Sequence, residues 1–100
     1  MNNSQTLTSA APLSLNDIQD WLANSIANQL GVPADNIEND TPFSSYGLNS
    51  IQAMSIATAG KQHFGLEISP LIIWNYPTIA ALSAYIAQEL NLEDIETFEI

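Results

Sequence analysis

Residues 41–55 of the chain read TPFSSYGLNSIQAMS, which is a loop followed by the start of a helix. Pro42 and Gly47 interrupt regular structure, whereas the residues after Asn49 follow a helical pattern. Asn49 is a favoured helix N-cap, so Ser50 is expected in the first helical turn, where backbone N–H groups lack partners and the helix dipole is positive. A phosphate group attached to Ser50 would be stabilised at this position.

The size and composition of the chain exclude several classes of function. One hundred residues suffice for one domain with a single core of three or four helices. The net charge of -10 repels nucleic acid and anionic lipid surfaces, and no apolar run approaches the roughly 20 residues that span a membrane. Without cysteine and with one histidine, the chain offers neither a disulfide nor a zinc site. We therefore expect a cytoplasmic, monomeric domain.

The first and last long helices are predicted from their caps and apolar stripes. Residues 14–17 read SLND, which has the form of a capping box, and Gly31 ends the helix that follows. Thr78 is the expected N-cap of the last helix. The apolar residues of the two stripes recur at spacings of three and four and are expected in the core: Ile18, Trp21, Leu22, Ile26 and Leu30 in the first helix, and Ile79, Leu82, Tyr85, Ile86 and Leu90 in the last.

The segment between these helices is predicted to contain a long loop and a second helix. The loop over 32–48 has no sustained period and is expected to be held by its apolar residues, namely Val32, Ile37, Phe43, Tyr46 and Leu48. The second helix is predicted over 50–64 with one core face, made of Ala53, Ile56, Ala57, Gly60 and Phe64. Gly60 indicates a close approach by another helix. Ile51 is expected to be exposed beside Ser50, whereas Met54 fits either exposure or a widened core stripe.

The rest of the chain supplies one short element and two flanks. Residues 70–74 are predicted to form a short helix capped by Ser69, with a buried strand as the alternative. Residues 1–13 are polar and are expected to form a flexible N-terminal linker, leaving the domain over 14–90. Residues 91–100 are predicted to be an acidic tail or linker, or alternatively a docking segment carrying Ile95 and Phe98.

No set of residues in the sequence is typical of a catalytic site. The residues around Ser50 lack the spacing and the second glycine of the hydrolase nucleophile elbow. His63 lies on the same predicted helix, nearly four turns from Ser50, and is expected to be a surface residue. Asp35, Glu38 and Asp40 do not follow a calcium-loop pattern and are expected to be solvated. The exposed serine is better suited to being modified than to catalysis.

Several blocks of the sequence together resemble one protein family. They are PFSSYGLNSI at 42–51, FG at 64–65, ISP at 68–70 and WNYPTI at 74–79, followed by Leu82. In this order and spacing the blocks resemble the acyl carrier domains of modular type I polyketide synthases. The helical patterns extend the resemblance from about Ser14 to Leu90.

The resemblance implies an all-α, right-handed bundle of three long helices and one short helix, with a carrier role in place of catalysis. Ser50 matches the serine to which a phosphopantetheinyl transferase, using coenzyme A and magnesium, attaches 4'-phosphopantetheine. The thiol of this arm would carry acyl intermediates as thioesters to a ketosynthase, to an acyltransferase or acyl-activating ligase, and to tailoring domains. Leu48 and Asn49 flank the serine. The residues expected to be recognised by partners are Tyr46, Gly47, Ile51, Met54 and Trp74.

Two departures from the family bear on recognition, and two alternative functions also remain open. Asn49 stands where aspartate is usual, so capping is expected to persist while recognition by the transferase becomes partner-selective. The second helix is nearly neutral, whereas freestanding fatty-acid carriers usually have an acidic one, so apolar contacts are expected to matter more than charge. The alternatives are a peptidyl carrier of a hybrid pathway and a helical protein-interaction module that is never modified.

Overall fold

The computed structural model describes residues 14–90, which form four α-helices. The helices are α1 (Leu15–Leu30), α2 (Ser50–Phe64), α3 (Pro70–Asn75) and α4 (Ile79–Glu89), with two short 3-10 helices at Ala34–Asn36 and Phe43–Tyr46. The predicted all-helical fold is confirmed, and the strand alternative at 70–74 is wrong because these residues belong to α3. The predicted N-terminal linker and acidic C-terminal tail lie outside the described residues, and their boundaries remain predictions.

Each long helix begins at a polar cap that the sequence predicts. Ser14 and Asp17 form the expected capping box, with reciprocal hydrogen bonds of 3.1 Å and 2.9 Å between side chain and backbone. Thr78 Oγ1 accepts a hydrogen bond of 3.1 Å from the backbone N–H of Ala81 at the start of α4. Such caps satisfy N–H groups that have no partner within the helix. The helix boundaries therefore follow from local chemistry.

The core lies between α1, α2 and α4, and α1 packs directly against α4. The predicted stripes supply most of the buried apolar side chains, which include Ile18, Leu22 and Ile26 from α1, Ala53, Ile56 and Ala57 from α2, and Ile79, Leu82 and Ile86 from α4. The outer members of the same stripes are only partly buried, because they lie at the edges of the helix faces: Trp21, Leu30, Phe64, Tyr85 and Leu90.

The loop between α1 and α2 is held against the first turn of α4. The backbone N–H of Phe43 donates to the carbonyl of Pro77 at 2.8 Å, and that of Ala80 donates to the carbonyl of Asn39 at 2.9 Å. Phe43 is buried, as are Ile37 and Leu48, so these residues anchor the loop as expected. The prediction for Val32 is wrong, since it follows the end of α1 directly and remains 37% exposed.

Gly60 does lie at a close approach, although the nearest neighbour is not a helix. A Cβ atom at this position would lie 3.0 Å from Ile68 Cδ1, in the α2–α3 connection, and 3.6 Å from the Trp21 ring of α1. The predicted contact with another helix is therefore the contact with Trp21, which is the more distant of the two. The Trp21 ring also stacks on His63, with ring centroids 5.1 Å apart, and His63 is exposed as expected.

Candidate functional site

Ser50 is exposed at the first position of α2. The preceding Asn49 is the N-cap, as predicted, and its Oδ1 accepts a hydrogen bond of 2.8 Å from the backbone N–H of Gln52. Gln52 Oε1 in turn accepts a hydrogen bond of 2.9 Å from the backbone N–H of Asn49. Within residues 14–90 the Ser50 hydroxyl has no hydrogen-bond partner. It is therefore presented outward by a backbone that the cap holds in place.

The residues before Ser50 are fixed by one buried and one hydrogen-bonded side chain. Leu48 is 6% exposed and joins the core. The Tyr46 hydroxyl accepts a hydrogen bond of 2.8 Å from the backbone N–H of Glu38 and donates to the carbonyl of Glu38 at 3.4 Å. Gly47 between them has φ 78°, a left-handed conformation that glycine adopts without steric cost. The loop that precedes Ser50 is thus held in place on both sides of the turn at Gly47.

Two exposed apolar side chains lie immediately after Ser50. Ile51 is 75% exposed, as predicted, and Met54 is 55% exposed, which decides between its two alternatives in favour of exposure. An open depression runs along this side of α2 and is lined by Ile51, Met54, Ser55, Thr58, Ala59 and Gln62. Trp74 is not among the lining residues, because it lies in α3 and packs half-buried against the core. Of the five expected recognition residues, Ile51 and Met54 line this depression, whereas Tyr46 and Gly47 lie in the loop before Ser50 and Trp74 lies in α3.

The surface of α2 carries little charge. The helix contains no acidic residue, and Lys61 near its C-terminal end forms an exposed ion pair with Glu67 at 3.2 Å. An anion on Ser50 would consequently meet the positive end of the helix dipole without repulsion from its own helix. Across residues 14–90 no three acidic or histidine side chains are grouped to hold a metal ion. None of the helices described for these residues is long and apolar enough to cross a membrane.

The residue that sequence reasoning missed at this site is Gln52. Its Nε2 donates a hydrogen bond of 3.1 Å to the carbonyl of Gln29 in the last turn of α1, in addition to the bond that its Oε1 accepts. Glutamine three residues after a polar cap is a capping-box signal that the sequence does contain. The contact with α1 has no such signal, because it joins residues 23 positions apart.

Comparison with known proteins places this geometry in a family. The family described as "Phosphopantetheine attachment site" matches residues 20–86. A component of the phenolphthiocerol/phthiocerol polyketide synthase of Mycobacterium tuberculosis is 34% identical over 79 residues. This match covers 79% of the chain but only 4% of that synthase component. The chain therefore spans a small part of the length of this relative.

Solved structures of carrier proteins share the fold. A free-standing peptidyl carrier protein from Acinetobacter baumannii is 34% identical with a TM-score of 0.75, over 77% of the chain and 96% of that protein. Asl1650 from Anabaena sp. PCC 7120 is an acyl carrier protein with a variant phosphopantetheinylation-site sequence. It is 38% identical with a TM-score of 0.71, over 79% of the chain and 90% of that protein.

The start of α2 also fits a phosphopantetheine group on physical grounds. It offers an exposed hydroxyl, first-turn N–H groups that favour a phosphate, and a neighbouring open depression beside which an extended arm has room. The family match covers more than half of the chain, and both solved relatives have the same helical fold. The domain is homologous to the carrier domains of polyketide synthases and is not catalytic, and its cofactor is covalently attached 4'-phosphopantetheine. The chain therefore belongs to the phosphopantetheine attachment family.

Proposed function

We propose that Ser50 is the attachment residue and that the domain carries acyl or polyketide intermediates as thioesters on the attached arm. The observation that supports this most is the exposed hydroxyl at the first position of α2, directly after the Asn49 cap. In the attachment reaction Ser50 Oγ forms a bond to the phosphorus that bears the pantetheine of coenzyme A. Adenosine 3',5'-bisphosphate leaves, and the hydroxyl proton is lost.

The division of labour between cofactor and protein follows from the composition. The chain contains no cysteine, so the thiol that forms the thioester comes from the bound cofactor. The protein contributes the fixed position of the attachment point and a surface that partner enzymes recognise. A tethered substrate also reaches neighbouring active sites at a high effective concentration.

Recognition is proposed to depend on the apolar side chains beside Ser50. Ile51 and Met54 offer the most exposed apolar surface of α2, and this helix has no acidic residue with which to steer a basic partner. Leu48, Gly47 and the anchored Tyr46 fix the shape of the loop that a partner meets first. Trp74 is proposed to contribute from α3 to a wider contact surface.

Carrier domains of polyketide synthases interact with other synthase domains. For this domain we propose a phosphopantetheinyl transferase as the partner that modifies it. The partners of the loaded form are proposed to be a ketosynthase, an acyltransferase or acyl-activating ligase, and tailoring domains. Asn49 places a neutral amide where the family usually has a carboxylate, so these partners are proposed to include a transferase that does not require the negative charge.

Intact-mass spectrometry tests the attachment residue. The purified domain is incubated with coenzyme A, magnesium and a broad-specificity phosphopantetheinyl transferase. We expect a mass gain of one phosphopantetheine group, lost in Ser50→Ala and retained in Ser55→Ala, because Ser55 is exposed on the same helix five residues later. A gain in Ser50→Ala equal to that of the wild type would overturn the assignment. No gain in any variant would favour an interaction module that is not modified.

A peptidyl carrier of a hybrid pathway is the second candidate, and it is supported by the 34% identity to the peptidyl carrier protein of Acinetobacter baumannii. Loading of the modified domain distinguishes the two candidates. An acyl carrier is expected to accept acyl groups from an acyltransferase or acyl-activating ligase and to remain unloaded by an amino-acid-activating enzyme. The reverse preference would establish the peptidyl role.

A further inference from the structure

The Gln52 side chain connects the start of α2 with the end of α1. Its Oε1 accepts from the backbone N–H of Asn49 at 2.9 Å, and its Nε2 donates to the carbonyl of Gln29 at 3.1 Å. Gln29 belongs to the last turn of α1, whose carbonyls have no partner within the helix. The amide of this one side chain therefore satisfies unpaired backbone groups of two helices.

Glutamine is the side chain whose chemistry suits both contacts. An amide carries an acceptor and a donor at the same end of the side chain, whereas a carboxylate only accepts and an ammonium only donates. Glutamate at this position would preserve the bond to Asn49 but would place a negative charge against the carbonyl of Gln29. The two bonds can thus be separated by substitution.

The position of the Ser50 hydroxyl depends on this connection. Within residues 14–90 no hydrogen bond holds the hydroxyl itself, so the backbone at Asn49 and Ser50 determines where Oγ lies. The Gln52 side chain holds the Asn49 backbone and, through Gln29, sets its place relative to α1. The apolar side chains proposed to meet the transferase, Ile51 and Met54, take no part in these hydrogen bonds.

We propose that Gln52 is a positioning residue for the modification of Ser50. Its bridge between the Asn49 cap and α1 fixes the nucleophilic hydroxyl relative to the surface on which the transferase docks. The inference rests on the proposed attachment at Ser50. Loss of the bridge is expected to slow the bond-forming step while leaving the docking of the transferase unchanged.

Single-turnover modification tests this role. Wild type, Gln52→Met and Gln52→Glu are mixed with saturating coenzyme A, magnesium and increasing excess of a broad-specificity transferase, and the modified fraction is followed by intact mass. Gln52→Met removes both hydrogen bonds at similar side-chain length, and Gln52→Glu removes only the bond to Gln29. Gln88→Met, on the exposed side of α4, is the matched control.

We expect Gln52→Glu to lower the maximal rate constant by about three- to tenfold, which corresponds to the net free energy of one hydrogen bond. Gln52→Met, which removes both bonds, is expected to lower it at least as much. The transferase concentration that gives half the maximal rate is expected to stay within about twofold, as it does for Gln88→Met, because the free energy of docking is unchanged. All rates are measured well below each variant's melting temperature, so that the folded fraction is equal. If Gln52→Met does not fold, Gln52→Glu, which retains the capping box, provides the test.

Three outcomes would overturn the inference. They are a wild-type rate constant for Gln52→Glu, a change confined to the half-saturating transferase concentration, and a loss of rate that Gln88→Met shares. In each case Ser50→Ala reports separately on the attachment residue. Its failure to be modified, alongside wild-type rates for the Gln52 variants, would leave the attachment at Ser50 standing and remove only the role of Gln52.

Discussion

Replacement of Ile51 by glutamate is expected to weaken recognition of the domain without unfolding it. Ile51 is 75% exposed in the second position of α2, so its side chain contributes little to the core. Exposed substitutions of this kind change the free energy of unfolding by about 0.5 kcal/mol or less. A glutamate in the first turn also interacts favourably with the helix dipole, which offsets part of any loss of packing.

The size of the recognition effect follows from the surface that Ile51 offers. Full burial of an isoleucine side chain is worth about 1.5–3 kcal/mol. Since three quarters of the residue is still exposed in the isolated domain, about 1–2 kcal/mol remains to be gained against a partner. Loss of that free energy is expected to raise the KM of the transferase for the carrier domain by about 5- to 30-fold.

The assay is transferase-dependent modification with the concentration of the carrier domain varied, read by intact mass, together with a thermal melt. Leu15→Glu is the matched control, because Leu15 is 43% exposed and the substitution makes the same change in charge. It begins α1, whose other end contacts Gln52, so it lies about 21 Å along the helix from that contact. An equal rise in KM for both variants, or unfolding of Ile51→Glu, would refute the assignment of this face.

Three further substitutions test the local physics of the domain. Asn49→Asp keeps the cap and adds a negative charge at the positive end of α2. We expect it to raise the free energy of unfolding in urea titrations by about 0.3–1 kcal/mol, and this gain should be mostly lost near 1 M salt. A gain unaffected by salt would show that the helix dipole is not its cause. Gly60→Ala is expected to gain about 1 kcal/mol of helix propensity and to lose about 2 kcal/mol because its Cβ would lie 3.0 Å from Ile68 Cδ1. The substitution should therefore destabilise the wild type but stabilise Ile68→Val, which lacks that methyl group. Additive effects of the two substitutions on the free energy of unfolding would exclude the contact. Tyr46→Phe is expected to lower the free energy of unfolding by about 0.5–1.5 kcal/mol and to speed hydrogen exchange of the Glu38 amide, because the hydroxyl that accepts from this amide is removed. Unchanged protection of the Glu38 amide would contradict the hydrogen bond.

Most of the fold was predictable because its determinants are local. Caps such as Asn49 and Thr78 fix where helices begin, and apolar residues at helical spacing fix which faces are buried. The exposure of Ile51 follows from the same geometry, since it lies outside the core face of α2. Met54 lies nearer the edge of that face, so the pattern alone left its environment open.

The features that sequence could not reveal involve contacts between distant segments. The hydrogen bonds of Asn39 and Phe43 with the start of α4 use backbone groups, which every sequence contains. The contact of Gln52 with Gln29 depends on how α1 and α2 pack, and the neighbour of Gly60 is the end of a side chain in a connection. None of these contacts has a period or a spacing, so a pattern along the chain does not indicate them.

The attachment of the long loop to the start of α4 limits how this domain can be recombined with other carriers. A chimera that exchanges α4 alone must place a backbone N–H where that of Ala80 donates to the carbonyl of Asn39. It must also leave Pro77, just before the helix, where its carbonyl accepts from the N–H of Phe43. A chimera that exchanges only the exposed side of α2 leaves those bonds intact. The exposed side of α2, where we propose that partners are recognised, is therefore more readily transplanted than the complete helix α4.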